Sequence, residues 1–126
     1  MRPTSITDVR TIAINVTNQD DALGFYVDTL GFEKRLDAPI SPTMRWIEVA
    51  PSGATTSIAL NARDGTSDVV SDTGIRFTVP DAEAEHAVMR ERGVNVGDVM
   101  RWDGVPPMYT LDDPDGNRFY IVEELR

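Results

Sequence analysis

The chain has 126 residues, no cysteine, and 21 acidic against 12 basic residues, for a formal net charge of −9. That length suits one domain able to bury roughly two-thirds of the surface of its unfolded chain, and the lack of cysteine excludes disulfides, zinc–thiolate centres and thiol nucleophiles. The acidic balance, with no basic cluster, argues against nucleic acid and would steer a cation in its place. No apolar run approaches the ~20 residues that cross a bilayer. Met1-Arg-Pro-Thr-Ser lacks the apolar core of a secretion signal, so a cytoplasmic protein with no membrane partner is expected.

In chain order, Ile12, Ile14 and Val16 alternate with smaller or polar residues, the period of a half-buried strand. Thr17 or Asn18 can cap a helix over about 19–30, with Asp20 and Asp21 in its first turn, where the positive end of the helix dipole favours carboxylates. Gly31 supplies a left-handed stop. A second strand starts at Phe32. Ala38-Pro-Ile-Ser-Pro42 reads as a break, because two prolines remove two donors. Arg45–Ala50 and Thr55–Asn61 read as strands joined by the turn Pro51-Ser-Gly-Ala54.

The same grammar then recurs. After a polar stretch over 62–73, Ile75, Phe77 and Val79 alternate, Asp81 can cap a helix over about 82–92, and Gly93 ends it. A strand over about 94–101 and a break at Trp102-Asp-Gly-Val-Pro-Pro107 follow. Met108–Asp113 and Asn117–Glu123 form a closing hairpin around Pro114-Asp-Gly116. The pattern is two tandem βαβββ units, about 8–61 and 74–124, in one α+β domain.

The strand leading to Val16, the Asp20-Asp-Ala-Leu-Gly-Phe-Tyr-Val-Asp-Thr-Leu-Gly-Phe32 helix and exit, Arg92-Gly-Val94, and Asp113-Pro-Asp-Gly-Asn117 together resemble the vicinal oxygen chelate superfamily of glyoxalases, bleomycin resistance proteins and extradiol dioxygenases. The resemblance covers nearly the whole chain. It implies curved mixed sheets forming a ligand cup, and a homodimer. The metal-dependent members carry His or Glu on the first and last strands of each unit. Those positions fall here on Thr11, on Ser57 or Ala59, on Gly74 and on Tyr120, which do not make a metal-ligand set. No metal or other cofactor is therefore expected, unless a rearranged site uses Glu48 or Glu123.

Strand parity then nominates the cup lining. Thr11, Ala13, Asn15, Ser57, Ala59 and Asn61 face it from the first unit, together with Trp46, Glu48 and Ala50. Gly74, Arg76, Thr78, Arg118, Tyr120 and Val122 face it from the second, with Tyr109 and Leu111. Trp102 is placed to cap the mouth. Trp46, Tyr109 and Tyr120 offer flat apolar surfaces with polar handles, which suit a small aromatic ligand, and the overall charge adds a cationic ligand as an alternative. The contrary reading is that these rings fill a collapsed core.

Glu48 as base and Arg76 as oxyanion partner, or Tyr120, are the candidates for catalysis. The single histidine, His86, reads as a solvated helix residue, and Asp112, Asp113 and Asp115 as turn formers. The functional expectation is a metal-independent small-molecule binding protein, of the kind that sequesters an antibiotic or natural product. The alternatives are a metal-independent isomerase, lyase or cyclase, and a metal-dependent glyoxalase- or dioxygenase-like enzyme.

Overall fold

The computed structural model describes residues 1–63 and 70–125. The middle of the polar stretch between the repeats lies outside the described residues. The chain divides into two compact units, Met1–Arg63 and Asp64–Arg126, and each is described by itself.

In the first unit, β1 (Thr11–Val16), β2 (Glu33–Ser41), β3 (Met44–Ala50) and β4 (Ser57–Ala62) form a sheet of order β1-β4-β3-β2. The β1/β4 pair is parallel and the others are antiparallel. The crossover helix begins as α1 (Gln19–Leu23), capped by the Asn18 side chain, and continues as a π-helical turn over Gly24–Thr29. Its Tyr26 is fully buried and meets Phe25 edge-on and Phe32 at a tilt. Ile14, Val16, Ile47, Val49, Ile58 and Leu60 are buried with it. Register puts these aliphatic residues on one sheet face, with Ile14 opposite Leu60 and Val49 opposite Ile58.

Gln19 locks the helix to the sheet. Its amide nitrogen donates to the carbonyls of Arg45 (2.6 Å) and Leu60 (2.9 Å), and its amide oxygen accepts the Arg45 N–H. A buried side-chain amide is tolerated because donor and acceptor are both engaged.

In the second unit, β5 (Ser71–Val79), β6 (Asn95–Val96), β7 (Met100–Trp102), β8 (Val105–Asp112) and β9 (Asn117–Glu123) form a sheet of order β5-β9-β8-β6, with β7 also paired to β8. The helix α2 (Ala82–Glu91) is capped by Asp81. Phe119, Ile121, Tyr109 and Leu111 are buried, and Phe77 stacks on Phe119 at 5.1 Å between ring centroids. Gly31 and Gly93 close the two helices at φ of 79° and 76°.

Several expectations need correction. Pro39, in the expected break at 38–42, does not end β2, which runs through it to Ser41, and only Pro42 falls in the turn that follows. β2 is an edge strand, where a missing donor is tolerated. Trp102-Asp-Gly-Val105 is likewise no break, because Trp102 pairs with Val105 across the two-residue turn Asp103-Gly104. Asp-Gly is a strong hairpin signal that the following prolines obscured. The expected strand over 94–101 is split into β6 and β7 around Gly97, where an added Cβ would stand 2.6 Å from the Thr110 hydroxyl. β5 starts at Ser71, inside the stretch read as linker.

Candidate functional site

In the first unit, register brings Thr11, Ala13 and Asn15 opposite Ser57, Ala59 and Asn61. It also sets Glu48 opposite Ala59 and Leu36, and Trp46 opposite Ala38. These residues share the face opposite the aliphatic core. Glu48 is its chemical centre at 5% exposure. Its carboxylate accepts the Ser57 hydroxyl at 2.7 Å, the Trp46 indole N–H at 2.8 Å and an Arg10 guanidinium N–H at 3.3 Å. Burial pushes the Glu48 carboxyl up, but these donors and the Arg10 charge outweigh it, so the group titrates below the ordinary glutamate value. It is a poor base, and it fixes the plane of the half-buried Trp46 ring among small neighbours.

In the second unit, the residues facing away from the helix are Arg76, Thr78, Met108, Thr110, Asp112, Arg118, Tyr120 and Val122. Arg76 is paired with Tyr120, Thr110 with Tyr120, and Met108 with Val122. The Arg76 guanidinium lies 4.6 Å from the centroid of the Tyr120 ring and donates to the Gly74 carbonyl at 2.7 Å. The Tyr120 hydroxyl donates to Asp72, whose other oxygen accepts the Gly74 N–H at 2.9 Å. That bond holds the Tyr120 phenol above its ordinary pKa and the Asp72 carboxyl below its own. Arg118 is engaged by both carboxylate oxygens of Asp112, at 2.8 and 3.0 Å.

A bulge creates this arrangement. β5 runs from Asp72 to Arg76 while β9 advances only from Arg118 to Tyr120, and Gly74 sits in the bulge at φ 70°, a backbone state that side chains with a Cβ resist. An open recess of about 530 Å³ adjoins it, lined by Arg76, Thr78, Pro106, Val122, Glu123, Glu124 and Leu125.

Tyr109 does not share this face. It is fully buried, at 0% exposure, paired with Ile121, and meets the His86 ring edge-on at 4.9 Å. Its hydroxyl has no hydrogen-bond partner among the described residues, and burial pushes its pKa up to about 12. The cup positions of this strand belong to Met108 and Thr110. Counting outward from the Asp113–Asn117 turn, where the Asp113 N–H meets the Asn117 carbonyl, would have given that parity from sequence.

His86 is packed, with Nε2 2.8 Å from the Gly97 carbonyl, so the solvated reading is corrected too. Trp102 stands 55% exposed at its hairpin. Asp113 does form the turn, accepting the backbone N–H of Asp115 and Asn117, whereas Asp112 clamps Arg118. Asp72 and Arg10 were missed. Asp72 lay in apparent linker, although the Asp-x-Gly spacing is that of an Asx turn.

The residues that the family resemblance nominates as metal positions do not fit a divalent ion. The Thr11 hydroxyl donates to the Ser57 carbonyl, the Ser57 hydroxyl is held by Glu48, and Ala59 and Gly74 have no side-chain donor atom. Tyr120 is kept protonated by Asp72. The Glu123 carboxylate accepts the Ala82 N–H at the start of α2. Among the described residues no three His, Cys, Asp or Glu side chains converge.

The chain is similar over nearly its whole length to known proteins. It is 35% identical to a structure from Sphaerobacter thermophilus DSM 20745 described as a member of the glyoxalase/bleomycin resistance protein/dioxygenase superfamily, covering 96% of this chain and all of that one, with TM-score 0.86. It is 30% identical to TnmS3, an antibiotic binding protein from Streptomyces sp. CB03234, over 98% of this chain and all of that one, with TM-score 0.82. YetH of Bacillus subtilis is 29% identical over 124 residues, 94% of this chain and 99% of YetH. Since the family model matches residues 9–121, the chain belongs to the Glyoxalase/Bleomycin resistance protein/Dioxygenase superfamily.

Proposed function

We propose that this protein is a metal-independent small-molecule binder that sequesters an aromatic natural product, such as an antibiotic, without converting it. The observation that carries this reading is the condition of Glu48 and Tyr120. Each is held in its resting protonation state, Glu48 ionised and Tyr120 neutral, by neighbours on its own sheet face. General acid–base catalysis works best when the pKa lies near the operating pH, and both groups are displaced away from it. What the same faces offer is contact surface: the half-buried Trp46 ring and the Arg76–Tyr120 stack. The similarity to an antibiotic binding protein over nearly the full length supports the same reading. A homodimer in the cytoplasm belongs to it as well.

The test is titration against a panel of polycyclic aromatic natural products, followed by tryptophan fluorescence and calorimetry, with the ligand then recovered for chromatography and mass spectrometry. Saturable binding with the ligand recovered unchanged is expected. A new product formed in excess over protein would overturn the proposal in favour of an isomerase, lyase or cyclase. In that case Glu48→Gln would report whether Glu48 moves the proton.

A further inference from the structure

We infer that the open recess of the second unit selects an organic anion, a carboxylate or phenolate on an apolar body, with Arg76 as the specificity-determining residue. The inference rests on the binding function proposed above and names the charge of its ligand.

Arg76 is the pivot because, among the described residues, it is the one cation lining the recess and no carboxylate is paired with it, although Asp72, Glu123 and Glu124 keep their negative charges nearby. Arg118, on the same face, is neutralised by the bidentate contact with Asp112. Both oxygens of Asp72 are engaged, one by the Gly74 N–H and one by the Tyr120 hydroxyl. Glu123, which accepts the Ala82 N–H, and the exposed Glu124 also line the recess, and water screens the charges at this surface, that of the exposed Arg76 included. Arg76 has no carboxylate within 4 Å among the described residues.

The guanidinium is also anchored. The Tyr120 ring supports one face at 4.6 Å, and the Gly74 carbonyl takes one N–H. Its other N–H groups form a planar fork suited to a pair of acceptor oxygens. Thr78 lines the recess with a hydroxyl, Val122 and Pro106 provide apolar surface, and Leu125 stands 86% exposed at its edge. At about 530 Å³ the recess is large enough for a drug-sized ligand. The preference comes from the Arg76 fork at contact distance, against the net charge of −9 and the two carboxylates, Glu123 and Glu124, that also line the recess.

The experiment compares three probes of one shape: 2-naphthoate, 2-naphthylmethanol and 2-naphthylmethylammonium, each titrated into the full chain and into Arg76→Met and Arg76→Lys. The carboxylate should bind about tenfold or more tightly than the alcohol, and the ammonium most weakly. Arg76→Met should erase the ratio of carboxylate to alcohol affinity, while Arg76→Lys should keep part of it. Circular dichroism checks that both variants fold. If Arg76→Met does not, Arg76→Lys and the salt dependence of naphthoate binding decide. Equal binding of all three probes, or a preference that survives Arg76→Met, would overturn the anion inference and leave the binding function standing. No binding of any probe would overturn both.

Discussion

At Glu48 a carboxylate lies on a strand at 5% exposure, and the surrounding donors decide what it does. Arg10 contributes little to stability, since its side chain is 77% exposed and exposed ion pairs are weak. The Ser57 hydroxyl and the Trp46 indole matter more. Because the folded-state pKa of Glu48 is lowered from 4.5, its stabilisation is present above that value and is lost as pH falls through the lower folded value. Glu48→Gln should lower stability at pH 7 by about 1–3 kcal/mol and flatten the acid limb of the stability profile, as measured by denaturant midpoints from pH 2 to 7. Tyr109 makes the opposite case, because its buried hydroxyl lacks a partner among the described residues. Tyr109→Phe should be neutral or should stabilise by about 1 kcal/mol, read as an unchanged or raised melting temperature.

At the scale of elements, the strands, helices and caps were legible because Ile12, Ile14, Val16 and their echo Ile75, Phe77, Val79 carry the period themselves. Residue-local rules fared worse where tertiary context intervened. Pro39 reads as a stop only when its strand is assumed to be interior, and an edge strand needs no donor there. Tyr109 falls on the core face, a parity that follows from the hairpin turn and not from its own strand's pattern, so the second half of the candidate site was only partly legible. Asp72 and the bulge at Gly74 were invisible, since a register shift depends on the partner strand. Gly74→Ala should cost about 1–2 kcal/mol through its left-handed φ and should weaken ligand binding by displacing Arg76, as a calorimetric titration would detect. Gln19 joins α1 to β3 and β4 through both ends of its amide. Gln19→Ala leaves those backbone groups without partners and should destabilise by about 3 kcal/mol, measured by urea unfolding.

For the whole molecule, the duplicated frame explains how one family can hold both metal enzymes and binders. One frame can host many chemistries, decided by the side chains its strands present. The positions that the family resemblance nominates for a metal are Thr11, Ser57 or Ala59, Gly74 and Tyr120, and their donors are absent or engaged by neighbours. The proposed function is binding of an organic molecule without a metal ion. Native mass spectrometry of the purified protein, before and after chelator treatment, tests it most directly. The expected result is a mass that the chelator does not change, with an added or co-purified organic ligand retained after that treatment. A stoichiometric divalent metal that the chelator removes, with ligand binding lost alongside it, would overturn the proposed function.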